Sequence, residues 1–194
     1  MKRICVFCGS NRGRRNVFPM SARQMGQALA ARGLGLVYGG GHVGLMGVIA
    51  DAALAAGAEV IGVIPRAMVD KELAMEGLTE MHIVDTMHQR KALMIELSDG
   101  FVALPGATGT ADELFEILTW AQLGLHRKPI ALLNVDGYFD PLLTWLNQAV
   151  KEGFLKPLHR RLLLEGKEVE TLLDWLQNYR PRRNVGKWIS KRDV

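Results

Sequence analysis

Leu104-Pro-Gly-Ala-Thr-Gly-Thr-Ala-Asp-Glu113 is the stretch on which the reading of this chain turns. The apolar run that leads into it, Gly100-Phe-Val-Ala-Leu104, has the length and composition of a buried strand. A Pro/Gly turn follows, and a helix is predicted to open at Thr110, with Leu114, Ile117, Leu118 and Ala121 on its apolar side. Strand, glycine-rich turn and helix start leave backbone N–H groups unpaired around one spot, where the helix dipole favours negative charge. That arrangement predicts an anion or phosphate site, with the Glu113 carboxylate one turn inside the same helix. The spacing Thr110-Ala-Asp-Glu113 is also that of a capping box, which by itself accounts for a Glu there, and Asp112 suits a first helical turn.

Working outward, strands and helices alternate. Strands are predicted at Arg3–Cys8, Leu34–Tyr38, Glu59–Ile64, Met81–Val84, Gly100–Leu104 and Pro129–Leu133. Helices are predicted at Pro19–Arg32, Gly44–Ala56, Met87–Ser98, Thr110–Leu123, Pro141–Glu152 and Glu168–Gln177. Alternation of this kind implies right-handed crossovers and a mostly parallel sheet. The unbroken apolar strands Val60-Ile-Gly-Val-Ile64 and Ile130-Ala-Leu-Leu133 fit a sheet covered on both faces. The expected fold is α/β: a single doubly wound, Rossmann-like domain over 1–179, followed by a basic tail over 180–194. In such a sheet the ligand lies at the carboxyl ends of the strands. Four turns should meet there: Gly9-Ser-Asn11, Gly39-Gly-Gly41, Pro65-Arg66 and Pro105–Thr110.

Composition narrows the class. With 194 residues, 48% of them hydrophobic and no long uninterrupted apolar segment, the chain can bury a full core, and a cytoplasmic location is expected. The formal charge of +4 is concentrated at one end. Six of the 24 Lys/Arg but one of the 20 Asp/Glu lie between Arg180 and Val194, so the rest is close to neutral. That tail is expected to be solvated; it can touch nucleic acid or an acidic neighbour, but the domain itself predicts no nucleic-acid partner. Cys5-Val-Phe-Cys8 has redox or zinc spacing, yet residues three apart on a strand point to opposite faces. With no second Cys pair, and histidines scattered at 42, 82, 88, 126 and 159, no metal site is expected.

Gly39-x-Gly41-x-x-Gly44 matches a dinucleotide fingerprint. It follows the second strand rather than the first, and the next strand ends in Ile64-Pro-Arg66 instead of an acid for a ribose diol. Close approach of backbone to a ligand and plain turn chemistry both account for these glycines. In Asp85-Thr-Met-His-Gln-Arg-Lys91, Thr86 and Gln89 form a capping box, which places Arg90 and Lys91 in the first turns of a helix. The dipole disfavours cations there, so either the pair is solvated or an anion offsets the cost.

Met87-His-Gln-Arg-Lys91 followed by Pro105-Gly-Ala-Thr-Gly-Thr-Ala-Asp-Glu113 resembles the paired motifs of the LONELY GUY family, the cytokinin riboside 5′-monophosphate phosphoribohydrolases. Members have often been labelled possible lysine decarboxylases. The resemblance extends from Cys5-Val-Phe-Cys-Gly-Ser10 through Val37–Gly41, Gly44-Leu-Met-Gly47 and Val63-Ile-Pro65 to about Gln177. It implies hydrolysis of the N-glycosidic bond of an adenine-type nucleoside 5′-monophosphate, a cytokinin nucleotide or AMP, without a cofactor, by a homodimer or larger assembly. Arg90 and Glu113 take the catalytic positions. The remaining contacts expected from turn and resemblance are Ser10, Gly40, Gly41, Gly44, Met46, Met87, Lys91, Gly106, Thr108, Gly109 and Thr110. Ala107 stands where the family has glycine, and a positive φ there would distort the turn. A nucleotide-binding module without catalysis is the rival reading. Lysine decarboxylation is the other; it would need pyridoxal phosphate on a lysine such as Lys91.

Overall fold

A computed structural model describes residues 1–69, 71 and 73–181. Most of the basic tail, 182–194, therefore lies outside the described residues. Seven strands form one sheet: β1 (Arg3–Phe7), β2 (Gly35–Tyr38), β3 (Val60–Pro65), β4 (Glu80–Val84), β5 (Gly100–Ala103), β6 (Ile130–Leu133) and β7 (Leu163–Gly166). Their order is β4-β3-β2-β1-β5-β6-β7, and every pairing is parallel. The helices are α1 (Val17–Ala31), α2 (Gly44–Ala55), α3 (Arg66–Val69), α4 (Met87–Glu96), α5 (Thr108–Leu123), α6 (Asp140–Lys151), α7 (Pro157–Arg160) and α8 (Val169–Gln177).

The chain builds outward from β1 to β4, then returns through α4 to place β5 on the other side of β1. The switch point between β1 and β5 opens a crevice at their carboxyl ends, the place where this class of sheet holds ligands. Side-chain alternation along the strands divides the core in two. Ile4, Val6, Leu36, Tyr38, Val102 and Leu104 pack with Met25, Leu29, Ile49 and Leu173 of α1, α2 and α8. Cys5, Phe7, Val37, Ile61, Val63 and Phe101 pack with Met94, Leu114, Ile117 and Leu118 of α4 and α5 on the opposite face. Burying each Leu, Ile or Phe side chain contributes roughly 1.5–3 kcal/mol by removing its apolar surface from water. Cys5 and Cys8 fall in opposite halves and are both free.

Three local readings need correction. Leu163–Gly166, not expected as a strand, closes the sheet beside β6; Leu-Leu-Glu-Gly is short and lacks the β-branched residues that mark strands. Helix α5 begins at Thr108 with Ala107 at its N-cap, and no side chain caps it. The Thr110–Glu113 capping box therefore does not form, and Asp112 lies beyond the first turn. Thr86, by contrast, does cap α4: its Oγ1 accepts from Gln89 N–H at 3.1 Å, while Gln89 Oε1 accepts from Thr86 N–H at 3.2 Å.

Gly44 sets the contact between the first two turns. Its φ is +62°, and a Cβ there would overlap the backbone of Ser10 and Asn11. Leu45 N–H donates to Gly9 O at 3.0 Å across the same junction. Gly44→Ala is expected to cost at least about 1–3 kcal/mol from the left-handed backbone alone, read as a lowered urea midpoint at unchanged slope.

Candidate active site

The crevice holds a cavity of about 380 Å³, bounded by the β1–α1 turn, the β5–α5 turn, the start of α2 and the inner face of α4. It opens into a shallower lobe of about 610 Å³ that shares Ser10, Asn11, Arg12, Gly39, Met46, Met68 and Arg90 with it. Both volumes lie in the range of small-molecule sites. One end is polar. The turn Pro105–Thr110 runs along it, held by Gly9 N–H donating to Pro105 O at 3.0 Å and by Tyr138 Oη donating to Gly106 O at 2.7 Å. Because α5 has no side-chain cap, the N–H groups of its first turn face this end with the positive end of the dipole behind them. Ala107 has φ −110°, so the alanine sits without strain where the resembling motif has glycine. The other end is apolar, lined by Leu45, Met46, Met68, Met87 and Met94.

Arg90 and Glu113 occupy the wall between the two ends. Arg90, 8% exposed, leaves the first turns of α4 and runs under the sheet edge. Its Nε donates to Val63 O at 3.1 Å, its Nη2 to Gly39 O at 3.4 Å, and its Nη1 lies 3.2 Å from Glu113 Oε1. Carbonyls at the ends of β2 and β3 thus offset the dipole cost of a cation at the start of a helix. Gly39 makes room: a Cβ there would collide with the guanidinium. Glu113 is also 8% exposed, and burial pushes its carboxyl up to about 7. Arg90 pulls that value down, Asp112 and Glu116 raise it, and Lys91 lowers it. A carboxyl so placed is divided between acid and base near neutral pH, the range suited to proton transfer.

Ser10, Gly41, Gly44, Met46, Met87, Gly106, Thr108, Gly109 and Thr110 all line the cavity or its lobe. Two expected contacts do not. Gly40 packs against Ile64 of β3. Lys91 turns away to α5, its Nζ 3.0 Å from Asp112 Oδ2. Asn11 lines the wall as the first turn predicts, and Arg12, Phe18 and Tyr138 enter it without having been anticipated. Tyr138 comes from the β6–α6 loop, where Arg15 pairs with Asp136 and stacks on Phe18 at 4.7 Å. No local motif marks such a residue, because only the sheet order brings that loop beside the β5–α5 turn.

A Rossmann-type sheet with a ligand crevice at its switch point, an uncapped helix start at one end and a buried Arg–Glu pair in the wall defines the class of protein. The chain matches over residues 46–176 the family described as "Possible lysine decarboxylase". It is 49% identical over 180 residues, 93% of this chain and 85% of the relative, to the Oryza sativa subsp. japonica protein named probable cytokinin riboside 5′-monophosphate phosphoribohydrolase LOGL3. It is 48% identical, over 93% of this chain and 83% of the relative, to the Arabidopsis thaliana cytokinin riboside 5′-monophosphate phosphoribohydrolase LOG7. The chain belongs to this LONELY GUY family. Among solved structures, the molybdenum cofactor binding protein of the phototrophic bacterium Rippkaea orientalis shares the fold. It superposes with a TM-score of 0.70 at 21% identity, over 91% of this chain and 96% of that one.

The decarboxylase description does not fit the site. Pyridoxal phosphate needs a lysine at the cavity. Among the described residues no lysine lines it, and Lys91 is held between two carboxylates.

Proposed function

We propose that this chain hydrolyses the N-glycosidic bond of an adenine-type nucleoside 5′-monophosphate, releasing the free base and ribose 5-phosphate. The observation that carries this is the buried Arg90–Glu113 pair, set between an uncapped helix start and an apolar pocket. The 5′-phosphate rests on the N–H groups at the start of α5, with Thr108 and Thr110 adding hydroxyls. The base lies toward Met46 and Met87, and Ser10, Gly41 and Gly44 border the nucleotide.

Cleavage passes through an oxocarbenium-like ribose. The bond from C1′ to the base nitrogen breaks with its electron pair going to the base, and water oxygen bonds to C1′. The water proton goes to Glu113, which as a carboxylate also stabilises the cationic sugar. The base departs with a proton from solvent. Arg90 holds ribose or phosphate oxygens and fixes the Glu113 carboxylate. No step uses a cofactor.

Purified protein incubated with AMP, with N6-isopentenyladenosine 5′-monophosphate and with the unphosphorylated riboside, then chromatographed, tests the reading. Free base is expected from the monophosphates and not from the riboside. Intact nucleotide in a folded protein that binds it would leave a nucleotide-binding module instead. We further read the working form as a homodimer in the cytoplasm. Support for the assembly is the exposed aromatic surface along α6 and just beyond it, where Trp145 is 58% and Phe154 90% exposed. Light scattering is expected to give twice the chain mass. Among the described residues no helix is long and apolar enough to cross a membrane.

A further inference from the structure

Helices α4 and α5 meet through two adjacent sets of ion pairs. Arg90–Glu113 is the set in the cavity wall. Beside it, Lys91 Nζ lies 3.0 Å from Asp112 Oδ2 and 3.2 Å from Glu116 Oε2, the latter a charge contact without hydrogen-bond alignment. The Lys91 side chain is only 11% exposed and that of Glu116 23%, whereas Asp112 is 59% exposed, so Lys91 and Glu116 form the buried part of the set. Asp112 and Glu116 precede and follow Glu113 by one and three residues on α5. Three carboxylates thus crowd one stretch of helix, and each makes the others harder to ionise.

Both cations that face them come from α4. Arg90 is shared with the carbonyls of Val63 and Gly39 and with Glu113. Among the described residues, Lys91 is the cation paired with the other two acids. On the β1 side, Glu113 also faces the thiols of Cys5 and Cys8, which burial keeps neutral. We propose that Lys91 is a positioning residue rather than a nucleotide ligand: it docks α4 onto α5 by pairing with Asp112 and Glu116, which leaves Arg90 to Glu113. The inference rests on the hydrolase reading above only for its kinetic readout.

Without Lys91, the two stranded carboxylates should move the acidic limb of the pH–rate profile up by roughly one pH unit. That is about a tenfold loss of rate on the acidic side, with the alkaline plateau and KM unchanged. The experiment measures kcat and KM for the monophosphate from about pH 5 to 9 in four proteins: wild type, Lys91→Met, Lys91→Arg, and a triple variant carrying Lys91→Met, Asp112→Asn and Glu116→Gln. Lys91→Arg should keep the wild-type limb. The triple variant should restore it, because no carboxylate is left stranded. A raised KM with an unmoved limb would make Lys91 a substrate ligand and overturn the proposal. Should Lys91→Met not fold, the triple variant decides by KM: an unchanged KM supports the positioning role, and a raised KM overturns it. Carbon-13 titration of the Glu113 carboxyl, identified by its loss in Glu113→Gln, needs no turnover. An upward shift in Lys91→Met there supports Lys91's role even if no base is released, and an unmoved titration overturns it.

Discussion

Replacing Glu113 by Gln is expected to lower base release by roughly a hundred- to thousandfold, about 2.7–4 kcal/mol of lost transition-state stabilisation, while nucleotide binding persists. The amide keeps the shape and can still accept a bond from Arg90, but it can neither take the water proton nor face the ribose with a charge. In the wild type the active form is the carboxylate. With burial pushing its pKa up to about 7, turnover should rise through neutral pH and level off above it. Glu113→Gln should show neither the rate nor that limb.

Stability supplies the control. A carboxyl raised from its unfolded value near 4.5 favours the fold below that pH, and this favour is lost as pH rises to about 7. The neutral Gln escapes that loss. Its melting temperature at pH 8 should therefore be no lower than the wild type's, and the difference should close toward pH 4.5. Normal turnover in Glu113→Gln would reduce the residue to a structural carboxyl.

Arg90→Ala is expected to be more damaging, losing affinity as well as rate. The variant strands the carbonyls of Val63 and Gly39 and takes away the cation 3.2 Å from Glu113. Arg90 holds the Glu113 carboxyl down against its burial, so its removal pushes that carboxyl further up and leaves it protonated at neutral pH. Rate then falls twice, once from the lost contact and once from the lost base. Raising the pH should recover only the second part. Calorimetric titration with AMP separates the affinity loss, and undiminished affinity would remove Arg90 from the nucleotide site.

The order of elements was legible because buried parallel strands are nearly continuous apolar runs, as in Val60–Ile64 and Ile130–Leu133. The two motifs that meet in the crevice were legible because each sits at a strand end or a helix start. The misreading at Thr110 is instructive. A capping-box pattern presumes that a helix satisfies its own first N–H groups, as α4 does with Thr86 and Gln89. Helix α5 begins two residues earlier, and no side chain caps it. The resemblance carries Lys91 into the cavity beside Arg90, but successive residues on a helix point about 100° apart, and Lys91 turns to Asp112 instead. Tyr138 and Phe18 reach the site through sheet order, which no local window reports.

Arg90 also has a meaning for how such a chain can change over time. One side chain fastens the ends of β2 and β3 on one flank of the switch point to α5 on the other. Two of its three partners are main-chain oxygens, which no substitution can alter directly. Neighbouring side chains can therefore drift while the guanidinium keeps its seat, so long as the glycine beneath it remains. A chain built this way can change side chains at the apolar end of the cavity while the charged pair keeps its geometry.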